Sequence, residues 1–383
     1  MIRVNQQDRS VSDKERLLRA IDDSEKRITV IVGLSKNAGK TTFLNWLMEK
    51  SSFAVKGVIT TGRDGEDLDI LEKVRKPRVS IPVGTIFTVR ACELQRLSGF
   101  LEVLEKLPFK AGGENIWLVR TDTTLEVEIV GPPSVVEQIE TARRILSHGA
   151  EHVFIDGSLD RKAIGSSPLV DSLIITGSPV IGALPVLKKG YKNLYDLTGI
   201  EEATGLLTAD KLEGLRSEDH IRILFNPLKK SIRDRKQEDK IGDELVGELL
   251  VKSPEWVRLP FKTLLGHEKE LLNLLKSKGR RPFLIYVPGS LTERSFQLLK
   301  GTIQELPGLK IIVKHPFHIQ VTEQSLHWLK QKNLLLTLKR MEIAGLIVNS
   351  FAVNGNHIDC EQFRRSIREE FHLPVVDVME VSE

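Results

Sequence analysis

The chain has 383 residues, 40% of them hydrophobic, and a formal charge of +4 left over from 56 basic and 52 acidic side chains. At about 150 residues per domain, that length predicts two or three compact units. The near balance of charge gives no footing for nucleic-acid binding, and no run nears the roughly 20 apolar residues of a membrane span. The two cysteines, Cys92 and Cys360, are far apart and have no metal-ligand spacing, so neither a disulfide framework nor a zinc site is expected.

Met1 to Lys26 is polar and charged, without the apolar core of a secretory signal, and predicts a cytoplasmic protein. Within it, Leu17, Leu18 and Ile21 fall on one helical face. Arg27 to Val32 is a β-branched run that ends at Gly33, and Thr41 to Met48 has apolar residues at helical spacing, so the order is strand, loop, helix. Further strands are expected at Val55–Thr60, Val79–Pro82, Ile116–Arg120, Val127–Val130, His152–Asp156 and Ser172–Thr176, with a helix over Ser134–Ser147. The alternation predicts an α/β fold with a mainly parallel sheet, and the pieces around Val79, Thr85 and Ile116–Val130 suggest an antiparallel insertion at one edge. A polar stretch from about Glu213 to Glu248 precedes a second βα series, with strands at Phe283–Val287, Lys310–Val313 and Leu346–Asn349 and helices at Phe296–Gln304, Ser325–Gln331 and Glu361–Phe371. The expected division is a nucleotide-binding domain over 1–212, a polar linker over 213–248 and a C-terminal α/β domain over 249–383.

Gly33-Leu-Ser-Lys-Asn-Ala-Gly39-Lys40-Thr41-Thr42 carries the chemistry. A nucleoside triphosphate needs many donors at once, and a tight loop capping a helix N-terminus supplies them as backbone N–H groups. In this reading a P-loop comprises Gly33, Lys36, Asn37, Ala38, Gly39, Lys40, Thr41 and Thr42. Gly39 lets the backbone approach, Lys40 reaches the β- and γ-phosphates, and the Thr41 hydroxyl ligates Mg²⁺. The usual G-x-x-x-x-G-K spacing would put glycine at 34, but Leu34 stands there, so the loop is one residue longer between its glycines. Such loops resemble those of dethiobiotin synthetase and the cobyrinic-acid amidotransferase synthetases; the signature lysine of the ParA-type loop would fall at Ser35.

A Walker-B carboxylate at a strand end is expected at Asp156, in His152-Val-Phe-Ile-Asp-Gly157, as second metal ligand with Thr41. Thr60 to Glu66 ends another strand; Asp64 there would complete the metal site or orient water, and Arg63 would meet phosphate, unless Arg63 pairs with Glu66 in a plain polar loop. Candidate catalytic residues are thus Lys40, Asp156 and Asp64, with ATP and Mg²⁺ as ligands. No Asn/Thr-Lys-x-Asp run marks guanine specificity, so adenine is the expected base. His315 and His318, near a strand end, are expected at the surface.

The segments Gly33–Thr42, Thr61–Glu66, Lys76–Arg78 ahead of Gly84–Thr85, and Phe154–Arg161 together resemble, in order and spacing, the P-loop reactivase subunit encoded with lysine 5,6-aminomutase and ornithine aminomutase. The resemblance runs through Gly177; beyond it only Ala344–Asn349 and Pro374–Asp377 match, loosely. It implies a nucleotide-driven chaperone that helps an adenosylcobalamin-dependent aminomutase release damaged cobalamin, acting beside a MutS-related ATPase subunit. The residues alone leave open a ligase of the dethiobiotin-synthetase type and a subunit in which bound nucleotide only sets conformation.

Overall fold

The computed structural model describes residues 11–23, 25–60, 78–158, 167, 169–225, 255–275, 282–306, 308–352 and 355–381. Two compact units result: residues 1–198 with 341–383, and residues 199–340.

The first unit begins with α1 (Asp13–Ile21), β1 (Ile28–Gly33), α2 (Lys40–Lys50) and β2 (Lys56–Thr60). It continues through β3 (Val79–Ile81), β4 (Ile86–Arg90), α3 (Ala91–Arg96), β5 (Leu101–Ala111), β6 (Glu114–Thr121) and β7 (Leu125–Val127). Then come α4 (Val135–Ser147), β8 (His152–Ser158), β9 (Ser172–Gly177) and α5 (Leu184–Thr198). The second unit holds β10 (Glu201–Glu202), α6 (Ala209–Arg216), β11 (Arg222–Phe225), β12 (Glu255–Arg258), α7 (Glu268–Leu275), β13 (Pro282–Val287) and β14 (Leu291–Thr292). It closes with α8 (Glu293–Gln304), β15 (Lys310–Val313), β16 (Ile319–Gln320), α9 (Glu323–Gln331) and β17 (Leu335–Thr337). The chain then returns to the first unit for β18 (Ile343–Val348), α10 (Cys360–Phe371) and β19 (Val375–Asp377).

A nine-stranded sheet organises the first unit in the order β19-β18-β9-β1-β8-β2-β4-β6-β5. From β19 to β4 all neighbours are parallel; β6 and β5 are antiparallel and end the sheet. The expected edge insertion is therefore present, with β3 and β7 as a separate antiparallel pair. β1, β9 and β18 are buried at every position, as parallel strands covered on both faces must be. On one face Leu17 and Ile21 of α1 and Phe43, Leu44 and Leu47 of α2 pack over Ile31, Phe154, Ile174 and Ile347. On the other, Tyr191 of α5 crowds Gly177, and Ile145 of α4 crowds Gly57.

The domain boundaries differ from those expected. Residues 341–383 complete the first sheet instead of belonging to a C-terminal domain, and residues 199–212 go with the second unit. The reason is strand pairing: β18 is apolar on both faces and finds its parallel neighbour in β9, with Leu346 opposite Ile175. The second unit is a six-stranded sheet ordered β10-β17-β15-β13-β11-β12. Its core joins Leu212 and Leu215 to Leu224, Leu284, Tyr286, Ile312 and Leu336, and the Tyr286 hydroxyl donates to the Leu215 carbonyl at 2.7 Å. Among the described residues no helix is long and apolar enough to cross a membrane.

Candidate functional site

The site sits where β1 ends. Six successive buried residues bring the chain to Gly33 at the carboxyl edge of the sheet, and Leu34 N–H donates to the Thr176 carbonyl at 2.7 Å, tying the loop to β9. Leu34 then packs on Gly190 of α5. A side chain at Gly33 would force the loop to shift: its Cβ would lie 2.9 Å from the Ser35 carbonyl oxygen and 2.9 Å from Lys40 Nζ. Lys40 thus curls back over its own loop and presents the ammonium at Gly33. Between them Asn37 adopts φ 55°, a left-handed conformation that asparagine tolerates.

Gly39 is the second fixed point. Its φ of 84° favours glycine, and a Cβ there would meet Val378 Cγ2 at 2.8 Å and Asn349 Cβ at 3.3 Å. Its carbonyl accepts from Phe43 N–H at 3.0 Å, the first bond of α2. Helices α1, α4, α8, α9 and α10 begin with a side-chain cap from Ser12, Ser134, Thr292, Thr322 and Asp359 respectively. α2 begins with none, so the N–H groups of its first turn, with the positive end of the helix dipole, open into the loop. Thr41 and Thr42 lie in that turn, half-buried.

Asp156 lies on the adjacent strand β8, opposite Ile31 on one side and Thr60 of β2 on the other. It is 7% exposed, a carboxylate near the end of β8, directly after the buried run Val153-Phe154-Ile155. Asp64, with Arg63 and Glu66, lies outside the described residues. The structure therefore gathers Gly33, Lys36, Asn37, Ala38, Gly39, Lys40, Thr41 and Thr42 in one loop and helix turn, with Asp156 one strand away.

The strand ends also contribute residues that motif reading missed. The hydroxyls of Thr176, near the end of β9, and Ser178, just after it, are fully buried and have no protein hydrogen-bond partner among the described residues, nor does that of Ser35. Asn349 follows β18; its side-chain oxygen accepts from Phe351 N–H at 3.2 Å while its amide nitrogen faces Gly39. Ser350 donates to buried Asp377 at 2.7 Å, which fixes the turn that carries Val378 onto the loop. The usable signal was positional: ligands in open α/β sheets lie beyond the carboxyl ends of the strands, and every one of these residues stands there.

Chemically, the arrangement offers backbone N–H donors, an ammonium, hydroxyls and a carboxylate. Among the described residues no group of three or more His, Cys, Asp or Glu side chains converges. A divalent ion here would be held by one carboxylate, one hydroxyl and oxygens of a ligand or water, the habit of Mg²⁺.

The chain matches no protein-family model, and no curated protein shows significant similarity to it.

Proposed function

We propose that the first unit is a P-loop site that binds Mg-ATP and hydrolyses it. One observation carries the reading: Lys40 Nζ is held at Gly33 by a loop whose far side is an uncapped helix N-terminus, next to a buried strand-end aspartate. In this reading the first-turn N–H groups of α2 take the phosphates, Lys40 neutralises charge between the β- and γ-phosphates, and Asn349 borders the loop from β18. Mg²⁺, held by Thr41 and Asp156, supplies charge stabilisation to the transferring phosphoryl group. Within the longer interval between Gly33 and Gly39, Asn37 takes a left-handed turn, and α2 starts at Lys40 directly after Gly39.

The resemblance over residues 33–177 extends the proposal to the work done: a nucleotide-driven reactivation of an adenosylcobalamin-dependent aminomutase, together with a MutS-related ATPase. The strands that lead into the two resembling segments, β2 and β8, are neighbours, and β8 lies beside β1; in this reading nucleotide state reaches a partner through the segments that follow them. Only a partner with different affinity for the two states can be driven.

The test has two stages. Mg-ATP should raise the melting temperature of the chain and yield ADP, and Lys40→Ala should abolish both; a variant with wild-type ATP affinity would remove the site. An aminomutase inactivated by turnover should then recover when given this protein, its partner ATPase, Mg-ATP and fresh adenosylcobalamin. ATP-independent or absent recovery, with nucleotide binding intact, would end the reactivase reading, and ADP formation that depends on an added small carboxylate would move it to a ligase.

A further inference from the structure

Two turns meet beside the phosphate loop, one after β18 and one after β19, and a side-chain bond joins them. Ser350 Oγ donates to Asp377 Oδ2 at 2.7 Å, with Ser350 0% exposed and Asp377 1%. The other carboxylate oxygen accepts from Met379 N–H at 2.9 Å, where the 3₁₀ turn Met379–Val381 begins. Both oxygens of Asp377 are thus engaged, as those of a buried acceptor must be. The Ser350 carbonyl accepts from Ile358 N–H at 3.0 Å, which holds that turn from its far side.

The chain neighbours of this pair are the residues that touch Gly39. Asn349 precedes Ser350, and Val378 follows Asp377. The three atoms nearest to a Cβ built on Gly39 all belong to Val378 and Asn349. Main-chain bonds tie each to the next strand: Asn349 N–H donates to the Gly177 carbonyl at 2.8 Å, and Val378 N–H to the Val348 carbonyl at 2.8 Å. Beyond that last bond from β19 to β18, the Ser350–Asp377 contact continues the link through side chains. Val378 also joins the core that contains Phe43 and Leu44 of α2, so it lies against the helix as well as against the glycine that starts it.

Gly39 fixes the direction in which the first-turn N–H groups of α2 point, because its carbonyl accepts the first bond of the helix and its φ of 84° sets the turn into it. A phosphate held by such groups answers to small displacements, since hydrogen bonds weaken steeply with distance and angle. An apolar contact alone would let Val378 slide; a directional bond one residue away holds it in one place. We propose that Ser350 and Asp377 are positioning residues of the nucleotide site: their bond seats Val378 and Asn349 against Gly39 and so sets where the N-terminus of α2 meets phosphate. The inference rests on the P-loop reading given above. Both side chains are too deeply buried to touch the nucleotide, and they act through their neighbours.

The full chain and its variants are titrated with Mg-ATP at a temperature where circular dichroism shows each to be folded. Ser350→Ala, which removes the bond, should weaken Mg-ATP by about tenfold. Val378→Ala, which keeps the bond but removes the contact with Gly39, should do likewise, and it carries the test should Ser350→Ala fold poorly. Asp377→Asn separates position from charge. Its amide oxygen can accept from Met379 N–H while its NH₂ donates to Ser350 Oγ, so the link survives with one bond reversed and affinity should stay close to wild type. Thr29→Val, which breaks buried hydrogen bonds at the other edge of the sheet, is the control for lost stability alone and should leave affinity unchanged. Wild-type affinity in Ser350→Ala or in Val378→Ala, beside a Lys40→Ala variant that no longer binds, would overturn the positioning role and leave the P-loop reading standing. A loss in Asp377→Asn as large as in Ser350→Ala would overturn it too, by making the charge and not the link the cause, and so would an equal loss in Thr29→Val. A wild-type chain that binds no Mg-ATP would remove the P-loop reading and this inference with it.

Discussion

The two edges of the nine-stranded sheet use the same kinds of residue to opposite ends. At the amino edge, His152 Nε2 meets Thr29 Oγ1 at 2.9 Å, Thr29 meets Ser172 Oγ at 2.8 Å, and His152 Nδ1 meets the Lys26 carbonyl at 3.1 Å. Asp171 there accepts from Arg27 and Ile28 N–H groups. The chain of donors and acceptors is closed. At the carboxyl edge, Ser35, Thr176 and Ser178 keep hydroxyls without protein partners among the described residues, the N-terminus of α2 has no side-chain cap, and Asp156 is buried. A closed polar network stabilises the fold and has nothing left to offer a ligand; an open one forgoes stability and leaves groups to offer. Variants at the two edges should therefore fail in different assays.

The largest effects belong to the carboxyl edge. Mg-ATP at a hundredfold excess over its Kd should stabilise the wild type by about 2.7 kcal/mol, and Lys40→Ala should lose nearly all of that while its ligand-free melting point stays put. Asp156→Asn should cut hydrolysis on the order of 100-fold with a smaller effect on binding, because charge at the metal matters most in the transition state. Equal losses in binding and turnover, measured by single-turnover kinetics and equilibrium titration, would make Asp156 a structural group and weaken the contrast.

At the amino edge the expected readout is stability alone. Thr29→Val removes the link between His152 and Ser172 and leaves both without it in a fully buried place, which should cost ~1–3 kcal/mol. Urea midpoints report the loss, and Mg-ATP affinity should be unchanged. A weakened nucleotide affinity would show that the two edges are coupled through β1.

Acid sharpens the same point. Burial lowers His152 to about 4 from its usual value near 6.5, the Lys26 carbonyl opposing only part of the shift. The unfolded chain thus binds the extra proton first. The stability contributed by the neutral ring is complete above pH 6.5 and is lost as pH falls toward 4, with a slope of up to ~1.4 kcal/mol per pH unit. Stability curves of wild type and His152→Gln should converge across that window; parallel curves would mean His152 is already protonated in the fold.

Local order was readable and distant pairing was not. The β1-loop-α2 unit announces itself because an apolar strand, two glycines and a helical stripe are contiguous in sequence. β18 and β19 look like any buried strands, and nothing local says that β18 pairs with β9 across the 199–340 excursion; so Asn349 and Val378, which flank Gly39, were invisible as site residues. β5 escaped for another reason. It is an edge strand carrying Pro108, and of its eleven residues only Leu107 is buried, so no period-two pattern marks it. His315 misled through its type: histidine is intermediate in burial, yet here it is 3% exposed because the 3₁₀ turn Pro316–His318 supplies Phe317 N–H to its Nδ1.

The smallest stability effect gives the sharpest comparison. Thr176 and Thr29 are both fully buried threonines on neighbouring strands of one sheet, one near each end. Replacing Thr29 breaks two hydrogen bonds, whereas the Thr176 hydroxyl has no protein partner to lose among the described residues. Valine keeps the branched shape, so Thr176→Val should leave the ligand-free protein unchanged or more stable by up to ~1 kcal/mol, since a buried unmatched hydroxyl is itself a cost. Its backbone carbonyl, which receives Leu34 N–H, is untouched, and the loop should keep its form. If the carboxyl edge holds its hydroxyls open for a ligand, the same variant should bind Mg-ATP or turn it over less well. Measured together, a stability gain with a functional loss supports the division of labour between the edges. A loss of stability like that of Thr29→Val, with nucleotide handling intact, would make Thr176 one more closed structural contact and erase the distinction.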